Sequence, residues 1–212
     1  MILELMPQVL EGLMTTLKIF ILTLLFSLPL GIIVALGRIS KHKIINKITG
    51  VYVLVMRGTP LLLQIIIIFY GLPSIGIVIE NRTLSALIAF VLNYAAYFGE
   101  IFRAGILSID KGQYEGAEVL GLSTKDTFFR IILPQAFKRI VPAVANEIIT
   151  LVKDTSLVYV VGLDELLKVG KAATNKYASL WPLIIVGIVY LIIIAILSKV
   201  LNKIEDKYSY YE

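Results

Sequence analysis

Apolar residues run almost without interruption through four stretches of the chain, Leu13–Leu36, Tyr52–Leu72, Leu84–Phe102 and Leu180–Leu201. Each is long enough to supply the roughly 20 residues of helix that cross a bilayer core. A fifth stretch, Ile131–Val152, keeps a helical pattern over Ile140–Val152 but carries Pro134, Lys138, Arg139, Pro142, Asn146 and Glu147. The pattern predicts an all-α membrane protein with about five transmembrane helices, at 13–36, 52–72, 84–102, 131–152 and 180–201. No linker rich in Pro, Gly and Ser interrupts it and no internal repeat is visible, so residues 1–212 read as one transmembrane domain.

Composition supports the membrane assignment. Hydrophobic residues make up 58% and charged residues 17% of the chain, and the mean hydropathy is +0.88; a soluble domain of this length would have to bury more apolar surface than its size allows. Cysteine is absent, which excludes disulfides, thiolate metal sites and cysteine nucleophiles. The one histidine, His42, stands in Lys41-His42-Lys43 between apolar segments, as expected of a solvated loop rather than a catalytic base. Metal sites and enzymatic chemistry are therefore not expected.

The distribution of Lys and Arg sets a direction. With the N-terminus outside, the inner segments hold thirteen basic residues and the outer ones five, Arg82, Lys153, Lys168, Lys171 and Lys176. The positive-inside rule then puts the C-terminus in the cytoplasm. No Lys or Arg precedes Lys18, so the basic start of a secretory signal is absent and the first span is expected to stay attached. Inner-face lysines account for the net charge of +5 without a nucleic-acid partner.

Between the third and fourth spans lies the polar stretch Arg103–Arg130. A loop of this length with its own apolar periodicity is usually functional. Tyr114, Ala117, Val119 and Leu120 give a short helix one apolar face, Gly121 allows a sharp exit, and Ser123 caps a second helix with Asp126 at the capping-box position. Leu133-Pro134 is then expected to redirect the chain into the membrane. The segment Gln113–Ser123 suits docking into a groove on a cytoplasmic partner; lying on the inner leaflet is the alternative.

Two polar stripes fall inside spans, where acidic side chains are costly and usually face a protein interior or an aqueous path. Asn93, Tyr97 and Glu100 share one face of the third span, and Glu147, Thr150 and Asp154 one face of the fourth; Asn146 and Thr155 lie beside the latter. Together they are the candidate substrate path. Neutralising Arg103 is the alternative role for Glu100, a helix-end or ion-pair role that for Asp154. Arg57-Gly58-Thr59-Pro60 is a candidate helix break, since Pro60 frees a backbone carbonyl and broken membrane helices commonly present backbone groups to a substrate. Arg57 itself either holds a substrate carboxylate or locks an acidic residue of a neighbouring helix, the second being favoured.

The spacing Glu115-Gly116-Ala117, three residues, Gly121, nine residues, Ile131-x-Leu133-Pro134 resembles the EAA loop of bacterial ATP-binding cassette (ABC) importer permeases, with Gly116 replacing the usual second alanine. Arg57-Gly58-Thr59-Pro60, the run from Asn93-Tyr94 through Glu100, Arg103 and Gly105-Ile106, Gly112-Gln113, Leu133-Pro134-Gln135-Ala136 and Lys153-Asp154-Thr155-Ser156-Leu157 are similar to the polar amino-acid branch of that family. The resemblance extends over roughly residues 10 to 205. It implies the transmembrane domain of a type I importer, paired with a second permease chain, identical or paralogous, two copies of an ATP-binding subunit and an extracytoplasmic substrate-binding protein, in the bacterial plasma membrane.

In that family the EAA loop contains the coupling helices, here Gln113, Glu115, Ala117, Leu120, Gly121 and Ser123, that meet the ATPase. The chain has no Gly-x4-Gly-Lys-Ser/Thr of its own, so ATP and Mg2+ belong to the partner and no cofactor is expected here. Glu100 and Glu147 favour a basic amino acid such as arginine, lysine or histidine as substrate. A neutral or acidic amino acid such as glutamine, or an ion-coupled secondary carrier, are the competing readings.

Overall fold

The computed structural model describes residues 2–208, all of its regular structure helical among them; Met1 and residues 209–212 lie outside this range. Helix α1 (Ile2–Ile39) turns at His42 into α2 (Lys43–Gly58). After a break come α3 (Leu61–Ile66), a π turn at Ile67–Gly71 and a 3-10 turn at Leu72–Ile75. Helix α4 (Arg82–Leu107) leads to the short α5 (Lys111–Val119) and α6 (Thr124–Asp126), and a π turn at Thr127–Ile132 runs directly into α7 (Leu133–Asp154). A 3-10 stretch, Thr155–Val161, precedes α8 (Leu166–Tyr177) and α9 (Trp181–Tyr208).

α1, α4 and α9 are each long and apolar enough to cross a membrane, and α2 with α3 makes a fourth candidate if the bent pair is one span. α7 does not reach that apolarity, in keeping with its prolines and charges. The 52–72 stretch is not one straight span: its two halves meet at 103°. Thr59, held extended at φ −122° and ψ 147°, adopts the conformation that a following proline enforces. The missing N–H of Pro60 leaves the Met56 carbonyl unpartnered four residues back. Gln64 Nε2 donates to that oxygen at 2.9 Å, and so does Asn93 Nδ2, also at 2.9 Å. The freed carbonyl is thus consumed by two side-chain amides rather than presented to a substrate, as the sequence had led one to expect.

α1 and α4 approach closely through small residues. A Cβ on Gly31 would stand 2.8 Å from Phe98 Cβ, and one on Gly99 would stand 2.6 Å from Val34 Cγ1; small residues allow such backbone proximity in membranes. Phe90, Tyr94 and Phe98 of α4 join Ile19 of α1, Ile65 of α3 and Leu151 of α7 in the principal core.

α8 is an element the sequence reading passed over as an outer loop. Its Leu166, Val169, Gly170 and Ala173 are buried at helical spacing, while Lys168, Lys171 and Lys176 mask that pattern in a hydropathy reading. Glu165, fully buried, caps it by accepting from the Leu167 and Lys168 N–H groups at 2.6 Å each and from Tyr190 Oη at 3.1 Å.

Leu133-Pro134 likewise does not redirect the chain. The backbone stays helical from Thr124 through Asp154, and the π turn ends just before Pro134. A widened turn takes up the hydrogen bond and ring clearance that a proline removes.

Candidate functional site: an acidic cavity beside a broken helix

A cavity of ≈ 620 Å³ opens where the α2–α3 break faces α4 and the end of α7. Arg57, Gly58, Thr59 and Pro60 form one wall, Asn93, Tyr94 and Tyr97 a second, and Glu147, Thr150 and Asp154 a third. Leu61, Leu62 and Leu157 close it with apolar surface. The helical spacing that placed Asn93 with Tyr97 and Glu147 with Thr150 and Asp154 brings both stripes to this one space.

The groups differ in what they have left to offer. Asn93 is buried and its amide is committed to Met56 and, at 3.0 Å, to Gln64 Oε1; it lines the cavity as a fixed part of the break. Tyr94, 1% exposed, donates from Oη to Asp154 Oδ2 at 2.7 Å and so ties α4 to the end of α7. Thr150 Oγ1 donates to the Asn146 carbonyl at 3.0 Å. Glu147 makes no hydrogen bond or ion pair among the described residues, although it is only partly exposed to solvent. Its carboxylate is the free anionic group of the cavity.

Arg57 does not lock an acid. Its guanidinium lies over the Tyr97 ring, 5.1 Å from the centroid, and it forms no ion pair among the described residues. A cation–π contact of this kind uses the positive charge without consuming the guanidinium's N–H donors.

Three candidates stand apart from this cavity. Glu100 points to the other side of α4: its Oε1 accepts from Arg103 Nε at 2.8 Å and from a second Arg103 nitrogen, while Arg38 Nε lies 3.7 Å from Oε2. Neutralisation of Arg103, the alternative weighed for it, is what the geometry shows, and Arg38 of α1 is an additional partner. Asn146 is exposed beside the stripe rather than on it, one residue or 100° of helix from Glu147. Thr155 is fully buried and donates to the Val152 carbonyl at 2.7 Å, as a hydroxyl at the end of a helix does. Gln64 is the residue the sequence reading missed. The signal was a lone amide in the apolar run Leu61–Phe69, four residues after Pro60.

The polar loop forms a compact hairpin. Asp110 caps α5 by accepting the Gly112 N–H at 2.7 Å. At its other end the Leu122 N–H bonds the Ala117 carbonyl at 3.0 Å and the Gly121 N–H bonds Glu118 at 2.9 Å, around Gly121 at φ +70°. This is the paired closure of a Schellman motif. Ser123 Oγ accepts the Asp126 N–H at 3.1 Å and donates to Asp126 Oδ2 at 2.6 Å, so Ser123 is the N-cap that the spacing predicts, with Asp126 answering through the Ser123 hydroxyl rather than through the backbone N–H of a capping box. Gln135 Nε2 donates to Gln113 Oε1 at 3.0 Å and so holds α5 against α7. Ala117 is turned inward, whereas Val119 and Leu120 are 87% and 76% exposed, with Glu115 exposed nearby. The apolar residues therefore split between an inner anchor and an uncovered outer tip.

Residues 27–209 match the family described as the binding-protein-dependent transport system inner membrane component. The arginine transport system permease protein ArtQ of Bacillus subtilis is 42% identical over 202 residues, covering 95% of this chain and 92% of that protein. The L-cystine transport system permease protein TcyB of the same organism is 40% identical, covering 97% of this chain and 88% of that one. Among solved structures, an amino acid ABC transporter with histidines superposes with a TM-score of 0.91 at 33% identity over 97% of this chain and 96% of the other. The MetNI methionine ABC transporter in an inward-facing form gives 0.76 at 17% identity over 97% and 98%, a likeness of fold.

Proposed function

The chain belongs to the family of binding-protein-dependent transport system inner membrane components, with the fold of a type I ABC importer transmembrane domain, and from that premise we propose that it is the permease subunit of an ATP-driven importer for polar amino acids, basic ones in particular. The observation that carries the proposal is the cavity in which the unpaired Glu147 faces Asp154, Tyr97 and the Arg57–Pro60 break. A carboxylate in surroundings of low dielectric attracts a cationic side chain and takes a guanidinium through two hydrogen bonds. The likeness to ArtQ supports arginine; the likeness to TcyB shows how near a different amino acid stands.

In this reading the uncovered tip of α5, with Gln113, Glu115, Ala117, Leu120, Gly121 and Ser123, meets a separate ATPase that binds ATP and Mg2+. Two such subunits, a second permease chain, identical or paralogous, and an extracytoplasmic substrate-binding protein complete the transporter in the bacterial plasma membrane. Uptake driven by ATP is expected to continue when the proton gradient is collapsed and to stop when ATP is depleted, with an ATPase of another chain co-purifying with this one. The opposite pattern, uptake lost with the proton gradient and no ATPase recovered, would assign the chain to ion-coupled carriers.

In this reading the chain crosses the membrane five times, with the N-terminus outside and the C-terminus in the cytoplasm, as the distribution of Lys and Arg favours. Cysteine is absent, so single cysteines introduced at Gln8 and Ser209 can be labelled without background. A membrane-impermeant maleimide is expected to label Gln8→Cys in intact cells and Ser209→Cys only after permeabilisation. Labelling of both from outside would mean an even number of crossings and end the five-span topology.

A further inference from the structure

A second cavity, of ≈ 570 Å³, lies on the far side of Arg57 and Gly58 from the first. Its polar lining is ionic: the guanidiniums of Arg38 and Arg57 and the carboxylate of Glu100, beside Val53 and Leu54. Glu100 spends Oε1 on Arg103, but Oε2 is buried and accepts no hydrogen bond; Arg38 Nε, 3.7 Å away, is buried and donates none. Arg38 is held in place by Asn46, whose Oδ1 accepts from its Nη1 at 3.4 Å and whose Nδ2 donates to its carbonyl. Gly50 leaves it room, since a Cβ there would stand 2.9 Å from Nη1. Arg57 adds a second guanidinium, which forms no ion pair among the described residues.

The two atoms have only each other, as an ion pair too long for a hydrogen bond, and a buried donor and acceptor that make no hydrogen bond each carry a desolvation cost. One small ligand bearing both an anion and a cation relieves both at once, and two planar guanidiniums are suited to fork a carboxylate. We propose that this cavity is a second subsite for the amino-acid substrate, in which the 3.7 Å Arg38–Glu100 pair opens, Arg38 and Arg57 taking the α-carboxylate and the Glu100 carboxylate taking the α-ammonium. The proposal rests on the amino-acid reading above. Arg57 belongs to both walls, so a substrate held by its cationic end at Glu147 has its carboxylate received by the group that opens the next cavity. The acidic space comes first for the cation, and the basic space second for the anion.

The test uses the complete transporter in nanodiscs of phosphatidylcholine, without binding protein, and radiolabelled arginine as the probe, or cystine or glutamine if the unmodified transporter takes that up instead. Two binding events per copy of this chain are expected. Arg38→Gln weakens one of them about tenfold or more, the loss of a hydrogen bond to a charged group, and leaves the other intact. Arg57→Gln, which breaks no ion pair among the described residues, weakens that event and, because Arg57 lines both cavities, the other as well. Agmatine, arginine without its carboxylate, fails to compete for the event that Arg38→Gln weakens.

A single event in the unmodified transporter, or two events unchanged in both variants, overturns the subsite. So does an Arg38→Gln effect seen only when phosphatidylglycerol is added, which would make the two arginines a lipid-phosphate site. Failure of the amino-acid reading has a different signature, with none of the three amino acids bound or taken up at all.

Discussion

Gly121→Val is expected to abolish transport while the chain still inserts at normal levels. Gly121 sits at φ +70° with nothing within 4 Å of where its Cβ would be. The effect therefore comes from the backbone, since a β-branched residue is strongly disfavoured in the left-handed region at a cost of about 1–3 kcal/mol. The hydrogen bonds from Gly121 to Glu118 and from Leu122 to Ala117 depend on that conformation, and with them the position of Val119 and Leu120. A side chain at 121 would meet open space rather than a membrane helix, so insertion has no reason to suffer. ATPase recovered with the purified variant, and substrate-stimulated ATP hydrolysis, are expected to fall by about tenfold or more if the strain is relieved by opening the turn. Gly121→Ala, with a smaller penalty, should lie between. Normal transport by Gly121→Val would remove the α5 turn from the coupling path.

Glu147→Gln is expected to lower arginine uptake by about 10- to 100-fold, the value of a hydrogen bond to a charged group, and to change glutamine uptake far less. The substitution keeps the shape and removes the charge. Because Glu147 has no hydrogen-bond or ion-pair partner among the described residues, its loss orphans nothing, and insertion and thermal stability should hold. Glu100→Gln is a different experiment from the one the sequence suggests. It takes a charged acceptor from Arg103 and Arg38 and is expected to reduce stability as well as uptake. Equal losses for arginine and glutamine in Glu147→Gln would make that residue structural, and brisk glutamine uptake with no arginine uptake by the unmodified protein would exclude a basic substrate.

The spans at α1, α4 and α9 were legible because long runs of Leu, Ile and Val suit a membrane-crossing helix, and the helix break because Pro60 stands inside such a run. Helical spacing also put the right residues on one face: Asn93 with Tyr97, and Glu147 with Thr150 and Asp154. Spacing along one helix could not say which turn of a stripe faces which neighbour. Glu100 continues the stripe of Tyr97, yet Arg38 from a distant part of the chain draws it to another cavity. In the same way, nothing local announces that the Met56 carbonyl will be met by Gln64 from one element and Asn93 from another. α8 was hidden for a simpler reason. Its lysines lower the hydropathy of a segment whose four buried positions are small or apolar, and the buried carboxylate that starts it, Glu165, looks like one more loop charge until Tyr190 of α9 is brought beside it.

The unbroken helical backbone from Thr124 to Asp154 puts the hairpin tip and the acidic cavity at opposite ends of one continuous helical element, with the π turn, Pro134 and Pro142 as its points of bending. From Ser123 to Glu147 this element is about 35 Å long at 1.5 Å per residue, so a tilt of about 10° about one end moves the other by about 6 Å. That travel is comparable to the width of an amino-acid head group. Displacement of the α5 tip therefore has a path to Glu147 along the backbone itself, and the Tyr94–Asp154 hydrogen bond stands at the far end of that path.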